Sequence, residues 1–438
     1  MRRREFIAGA AALAAYMQLS RQSSLLTPAY GEVLPLGNPL PTGFYNFTGS
    51  NLPNWQRASA AQQRGEANAI IGCLGDSTVA GQGAASNELA SNAKSKSWPT
   101  QLARLIPNGS WSSVWGDNNV SAAAGDVHAF DARLHRTGWA ISNIRASGTL
   151  CGGSFHGHPS AISQSFSPTN PIDTIEVWYA RSPESGRFTI DVDGASPLAA
   201  VDCAGANAFM KATATCTPGH HTINLRKTTD SKDVYLTGLR CFNSAIREVS
   251  VYNLGGCRWG SADFVVDSHP WNTLPAVAAI APNLVIFQAG IINDWDDRIP
   301  LSTVTSNMTT VINALKSVNC DVILMSGAPS EAGVFASYPT QAAYVANMKS
   351  LAYAANVPFI DIWGLFGGTL EFIRDERSIA SEPDRLRAHR RLCGHRHSRS
   401  FRAQPELARS NPHLHDRRDG LLPPSLVELR RTSRWRSQ

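Results

Sequence analysis

The chain opens its regular pattern at Ala69-Ile70-Ile71-Gly72-Cys73-Leu74, an unbroken apolar run that ends in Gly75. Such a run fits a strand covered on both faces, as in a parallel sheet. Trp98, Leu102 and Leu105 then recur at helical spacing and predict a helix over 96–106. Between about 165 and 250 the period changes to two. Thr174–Tyr179, Phe188–Val192, His221–Leu225 and Val234–Thr237 alternate, separated by turn signals such as Asp193-Gly194 and Pro218-Gly219. Short alternating strands with glycine turns predict a small β-sandwich.

After the sandwich the first pattern returns. Glu248–Asn253 and Leu284–Phe287 read as strands, and Val304, Met308, Val311, Ile312 and Leu315 line one helical face. Asp321–Met325 is another strand, a helix is expected near 340–354, and Pro358–Ile362 reads as the last strand. Strands alternating with helices predict an α/β domain with a parallel sheet between helical layers, into which the sandwich is inserted. The expected divisions are 1–29 as an export signal, 30–67 as an extended Pro/Gly/Asn/Ser-rich lead-in, and 68–160 and 248–373 as the two parts of the α/β domain. The inserted sandwich takes 161–247, and 374–438 is an Arg/His-rich tail.

Composition narrows this reading. Of the 438 residues 43% are apolar and 17% charged, enough to bury a core. The net charge of +6 is concentrated in Arg2, Arg3, Arg4 and the tail, so it implies no nucleic-acid partner. Those arginines precede a short apolar run from Ala8 to Tyr16, the layout of a secretory signal, and the order Arg3-Arg4-Glu5-Phe6-Ile7 resembles a twin-arginine signal. The run is far below the roughly 20 residues needed to span a bilayer. The expectation is an exported, periplasmic or secreted protein without a membrane partner after signal cleavage. Eight cysteines lack any Cys-x-x-Cys pairing, which argues against a zinc site, and no metal or cofactor is expected. Cys203 and Cys216 are the first pair to consider for a disulfide.

Three segments fall at carboxyl ends of predicted parallel strands, where reactive groups of open sheets collect. They are Gly75-Asp76-Ser77, Asn253-Leu254-Gly255-Gly256, and Gly290-Ile291-Ile292-Asn293-Asp294. A serine hydroxyl needs a base to take its proton, and a developing oxyanion needs donors fixed in advance. Ser77, a glycine turn and the Asn293 amide supply a nucleophile and two kinds of donor.

These residues resemble the SGNH hydrolases, the GDSL-type esterases and lipases, over most of 68–372. The resemblance implies a flavodoxin-like three-layer α/β/α fold, with the small β-sandwich inserted, and ester hydrolysis without a metal. It implies that Ser77 attacks the carbonyl, that its own N–H helps hold the oxyanion, and that Gly256, with Gly255 as the alternative, and Asn293 complete the donors. Gly290 stands three residues before Asn293, one more than the family's Gly-x-Asn-Asp motif.

The family's base and acid come from an Asp-x-x-His motif soon after the last strand, and that spacing is absent here. The nearest pair is Asp384 and His389, with four residues between them. From about 374 Arg and His crowd the chain and no period persists. GC-rich codons for Ala388–His397, read one base later, spell His-Thr-Gly-Asp-Tyr-Ala-Ala-Ile-Ala. That resembles the family's continuation after its catalytic histidine and points to a frameshifted reading of the gene. The expected function is a serine ester hydrolase acting on a small-molecule or polysaccharide ester, removing acetyl or another acyl group from a carbohydrate. The alternatives are an impaired polysaccharide-binding member and an O-acyltransferase. Trp178 and Tyr179 would be sugar-facing aromatics or, as their alternation favours, core residues.

Overall fold

The computed structural model describes residues 43–82, 84, 93–115, 131–136, 149–152, 154–156, 163–228, 232–256, 259–288, 292–329 and 340–367. The expected export segment 1–29 and the tail 374–438 lie outside these.

The chain enters through strand β1 (Phe44–Tyr45) and helix α1 (Pro53–Gln63), then forms β2 (Ala69–Gly75). Three short helices follow: α2 (Ser77–Ala80), α3 (Ala93–Lys96) and α4 (Trp98–Leu105), leading to β3 (Gly109–Ser110). Ten strands make the insertion: β4 (Ser113–Trp115), β5 (Leu134–Arg136), β6 (Ser154–His156), β7 (Ser163–Phe166), β8 (Ile172–Arg181), β9 (Arg187–Val192), β10 (Ala199–Asp202), β11 (Ala208–Gly219), β12 (Ile223–Lys227) and β13 (Val234–Phe242). The α/β pattern resumes with β14 (Val249–Gly255), α5 (Ser261–Phe264), α6 (Thr273–Ile280), β15 (Leu284–Gln288) and α7 (Ile292–Asp296). It closes with α8 (Leu301–Ser317), β16 (Asp321–Met325), α9 (Gln341–Ala354), β17 (Phe359–Ile360) and α10 (Ile362–Leu365).

The main sheet has the order β1-β17-β16-β15-β2-β14-β3. Its core strands β14-β2-β15-β16-β17 are all parallel, and β1 adds antiparallel to β17 at one edge. With β2 first in the chain this is the order 2-1-3-4-5, the flavodoxin-like arrangement expected. Alternate side chains of each strand feed two cores. Leu74, Tyr252, Leu254, Val285, Phe287 and Leu324 pack under α5, α6, α8 and α9. Ile71, Cys73, Val251, Ile286 and Ile323 pack with Trp55 of α1, Val79 of α2 and Leu102 of α4. A central parallel sheet buries both faces in this way, which is why its strands read as unbroken apolar runs. On α8 the buried residues are the five of the predicted stripe.

The lead-in is not extended throughout. Residues 53–63 are helical, and the helix is capped from a distance: the Asp321 carboxylate accepts from Trp55 N at 2.7 Å and from Asn54 Nδ2 at 2.9 Å. Trp55 N is one of the helix-start amides that a local cap would serve. Asp321 stands at the start of β16, so Pro53 at the first helical position is left as the local start signal while the side-chain cap comes from far away.

The insertion is a sandwich of two five-stranded antiparallel sheets, β10-β9-β12-β7-β5 and β11-β8-β13-β4 with β6 also paired to β13. It starts at Ser113, well before the expected residue 161, because β4 and β5 supply edge strands to the two sheets. Its core holds Ile175, Val177, Phe188, Ile190 and Leu225. Asp193 (φ +54°) and Gly194 (φ +74°) form the tight turn after β9, with Ala195 N donating to Val192 O at 3.0 Å. Two left-handed residues suit the strand twist at such a turn.

The sandwich meets the main sheet through aromatic rings. Trp115 of β4 packs on Tyr252 of β14 with ring centroids 4.9 Å apart, and Trp178 of β8 lies 6.3 Å from Trp115. Trp178 and Tyr179 are both buried, so neither is a sugar-facing aromatic. Cys203 and Cys216 are free thiols, as are the other four described cysteines. The expected disulfide between them does not form: Cys203 directly follows β10 in one sheet of the sandwich, whereas Cys216 lies on β11 in the other.

Candidate functional site

Strand order reverses between β14 and β15, on either side of β2, and the crevice outside such a switch point is where open sheets bind ligands. Ser77 is the first residue of α2, directly above β2. Its predecessor Asp76 caps the helix, its Oδ1 accepting from Thr78 N at 2.8 Å and Thr78 Oγ1 at 2.6 Å. Ser77 is nearly buried, and among the described residues its hydroxyl makes no hydrogen bond. Its carbonyl accepts from Gly81 N and Gln82 N, closing the single turn.

Why the motif needs glycine is visible here. A Cβ on Gly75 would collide with the Gln288 carbonyl oxygen and with Val79 Cγ2. One on Gly255 would collide with Ala80 N and lie 2.8 Å from the Asp76 carbonyl oxygen. Helix α2 therefore rests directly on the backbone ends of β2 and β14. Asn253 holds it from the β14 side, its Nδ2 donating to Val79 O at 2.8 Å.

The glycines expected to donate to an oxyanion are engaged otherwise. Gly256 N donates to Gly75 O at 2.8 Å, and the indole of Trp259 occupies the space a side chain would take. Gly255 N faces Asn253 Oδ1 at 3.3 Å. The geometry gives both residues a packing role, and the donor assignment to Gly256 or Gly255 is corrected accordingly.

Asn293 and Asp294 sit buried on α7, beyond β15. Asn293 Nδ2 donates to Trp259 O at 2.8 Å, and a primary amide keeps a second proton. Asp294 accepts from Ser261 N at 2.9 Å and from Ser261 Oγ at 2.7 Å, and Asp263 Oδ2 accepts from Gly260 N at 3.0 Å. The turn 259–261 is thus gripped by three side chains. Burial raises the carboxyls of Asp76 and Asp294 above their ordinary range, and the Asp294 charge adds to the rise at Asp76. The Trp259-Gly260-Ser261 turn was missed by sequence reasoning. Its signal was the Ser261-Ala262-Asp263 helix start after a glycine, four residues past the Gly255-Gly256 pair that drew attention first.

His389 and Asp384 lie outside the described residues, as does Gly290 with the extra residue of its turn. Among the described residues no histidine hydrogen-bonds Ser77, and no group of side chains could hold a metal ion.

Residues 240–378 match the family described as GDSL-like lipase/acylhydrolase. That part of the chain is similar to this family. The matched span takes in β14 to β17 and Asn293, while Ser77 precedes it. Several solved structures are similar. A peptidoglycan O-acetylesterase shares 17% identity over 73% of this chain and 85% of its own, with a TM-score of 0.49. A family two carbohydrate esterase from Cellvibrio japonicus shares 12% over 57% and 88%, with a TM-score of 0.22. One from Clostridium thermocellum, in complex with cellohexaose, shares 12% over 52% and 88%, with a TM-score of 0.21. No curated protein matches the sequence significantly. Among the described residues, no helix is long and apolar enough to cross a membrane.

Proposed function

We propose that this chain is a serine ester hydrolase in which Ser77 attacks the acyl carbonyl. The observation that carries the reading is the placement of Ser77: first residue of a helix, at the switch point, its hydroxyl left unbonded by the described residues. Attack makes a tetrahedral oxyanion, which needs donors already in place. The Ser77 N–H and the second Asn293 amide proton are the donors proposed. Collapse expels the alcohol and leaves an acyl-serine, which water then hydrolyses. A base must take the serine proton, and His389, oriented by Asp384, is proposed for it. Acetyl or another short acyl group on a carbohydrate is the proposed substrate. The export-type N-terminus and the sandwich beside the crevice support that choice, and the proposed location is periplasmic or secreted.

The test is covalent labelling by a fluorophosphonate together with hydrolysis of p-nitrophenyl acetate. Labelling at Ser77 and turnover abolished in Ser77→Ala support the reading. A folded protein that neither reacts nor turns over, yet retains binding to polysaccharide, supports the alternative of an impaired polysaccharide-binding member.

A further inference from the structure

Gln288 is the last residue of β15, buried, and belongs to none of the motifs that mark the site. It pairs in register with Gly75, two residues before the nucleophile. Its Nε2 donates to Thr78 Oγ1 at 2.5 Å, and Thr78 Oγ1 donates onward to Asp76 Oδ1 at 2.6 Å. The same carboxylate oxygen accepts Thr78 N at 2.8 Å. The chain has one direction: an amide with protons to give, a hydroxyl that accepts one and passes on its own, and a carboxylate that only accepts. Hydrogen bonds aligned in this way reinforce one another in a low-dielectric interior.

Geometrically the chain ties α2 to β15. Asn253 ties the same helix to β14 through Val79 O. The two strands that flank β2 thus each send one amide side chain to the single turn that begins with Ser77. Because α2 has only four residues, its own backbone bonds cannot fix its rotation above β2. The lateral amides can.

We infer that Gln288 is a positioning residue for Ser77, acting through Thr78 and Asp76 to hold the nucleophile and its N–H in the geometry of attack. The inference rests on the esterase reading for its kinetic consequence but not for its structural one, and the two can be tested apart. Gln288→Met keeps length and volume and removes the donor; Thr78→Val removes the middle hydroxyl and Thr78→Ser restores it.

If the protein hydrolyses p-nitrophenyl acetate, kcat should fall about 10–100-fold in Gln288→Met, the scale of a nucleophile displaced by a fraction of an ångström to an ångström. KM should stay within about twofold, because the loss falls on the transition state. Thr78→Val should lose a similar factor, the double variant little more, and Thr78→Ser should recover most of the rate. An unchanged kcat in Gln288→Met, or losses that multiply in the double variant, would overturn the inference. If the full-length protein turns over no ester, the esterase reading fails and hydrogen exchange decides instead. Exchange of the peptide 75–82 should quicken in Gln288→Met while peptides from the sandwich stay unchanged. Equal exchange in both proteins would overturn the inference whatever the chemistry of the site.

Discussion

Gly256 donates its N–H to the carbonyl of Gly75 at 2.8 Å, extending the β14–β2 ladder one residue past its last parallel pair. An N–H spent in a ladder cannot also point at an oxyanion, so this contact moves the donor question to Ser77 and Asn293. It also fixes what a side chain at the glycines would do. Gly255→Ala forces a methyl against Ala80 N and Asp76 O, backbone atoms of the α2 region that have nowhere to go. The expected cost is about 1–3 kcal/mol of stability, as for other overpacked sites. Urea denaturation measures it, and a stability equal to that of the unsubstituted protein would contradict the close approach.

Ser77→Ala should behave oppositely. The hydroxyl makes no hydrogen bond among the described residues, so removing it should change stability by less than about 0.5 kcal/mol. Turnover, by contrast, should disappear with the nucleophile. A melting curve and an ester assay on the same sample separate the two effects.

Asn293→Ala removes both the bond to Trp259 O and the proposed oxyanion donor. The first costs about 1 kcal/mol of stability. The second should lower kcat by about 10²–10³-fold. Asn293→Asp keeps the shape but offers only acceptors, so it should be no better than alanine in kcat. A rate retained in Asn293→Asp would remove the amide from the mechanism.

Beside β14, Arg240 of β13 reaches Glu176 at 3.3 Å and Glu248 at 3.4 Å, and all three are buried. Glu248 also accepts from Ser250 Oγ at 2.6 Å. Taking away Arg240 leaves the buried Glu248 with the Ser250 hydroxyl but no cation, while Glu176 keeps Lys211 Nζ at 2.7 Å. Arg240→Met should therefore cost about 3–5 kcal/mol, while Arg240→Met with Glu176→Gln and Glu248→Gln should recover much of it. Denaturation midpoints of the two variants give the comparison.

His221 Nδ1 lies 2.7 Å from Asp193 Oδ2 and its Nε2 lies 2.8 Å from Thr217 O. Two acceptors at the two ring nitrogens call for the imidazolium, and the Asp193 bond, then the Thr217 bond, raises the histidine above its ordinary 6.5. Asp193 is held below its ordinary 3.8, first by Thr222 N and then by His221. The signs give a window. The histidine's contribution is complete below 6.5 and is lost as pH rises through the raised value; the aspartate's is present above 3.8 and is lost as pH falls through the lowered one. The sandwich should melt highest between about pH 4 and 6 relative to a His221→Gln variant, and the difference should shrink as pH rises through the raised histidine value. Melting temperatures across that range check it, and a constant difference would contradict the ion pair.

Much of this molecule was legible from period alone. The runs at 69–75, 284–288 and 321–325 are unbroken because both faces of a central parallel strand are buried, and the stripe from Val304 to Leu315 needs only the 3.6 repeat. Ser77 and Asn293 were singled out because strand ends of such sheets are where reactive groups collect. Other features depend on partners far away in the chain. Helix α1 has only Pro53 as a local start signal because its cap, Asp321, comes from the start of β16. The long strand β11, with its Lys/Thr/Ala run half exposed at a sheet edge, buries too little to show a period. The sandwich's true start at Ser113 was hidden because three-residue edge strands carry no pattern of their own. The glycines at 255 and 256 were recognised by type and misread by role, since a sequence shows that a side chain is missing but not what fills the gap. Only the fold shows Ala80 over one, Trp259 over the other, and Gln288 reaching across from β15 to the turn that carries Ser77.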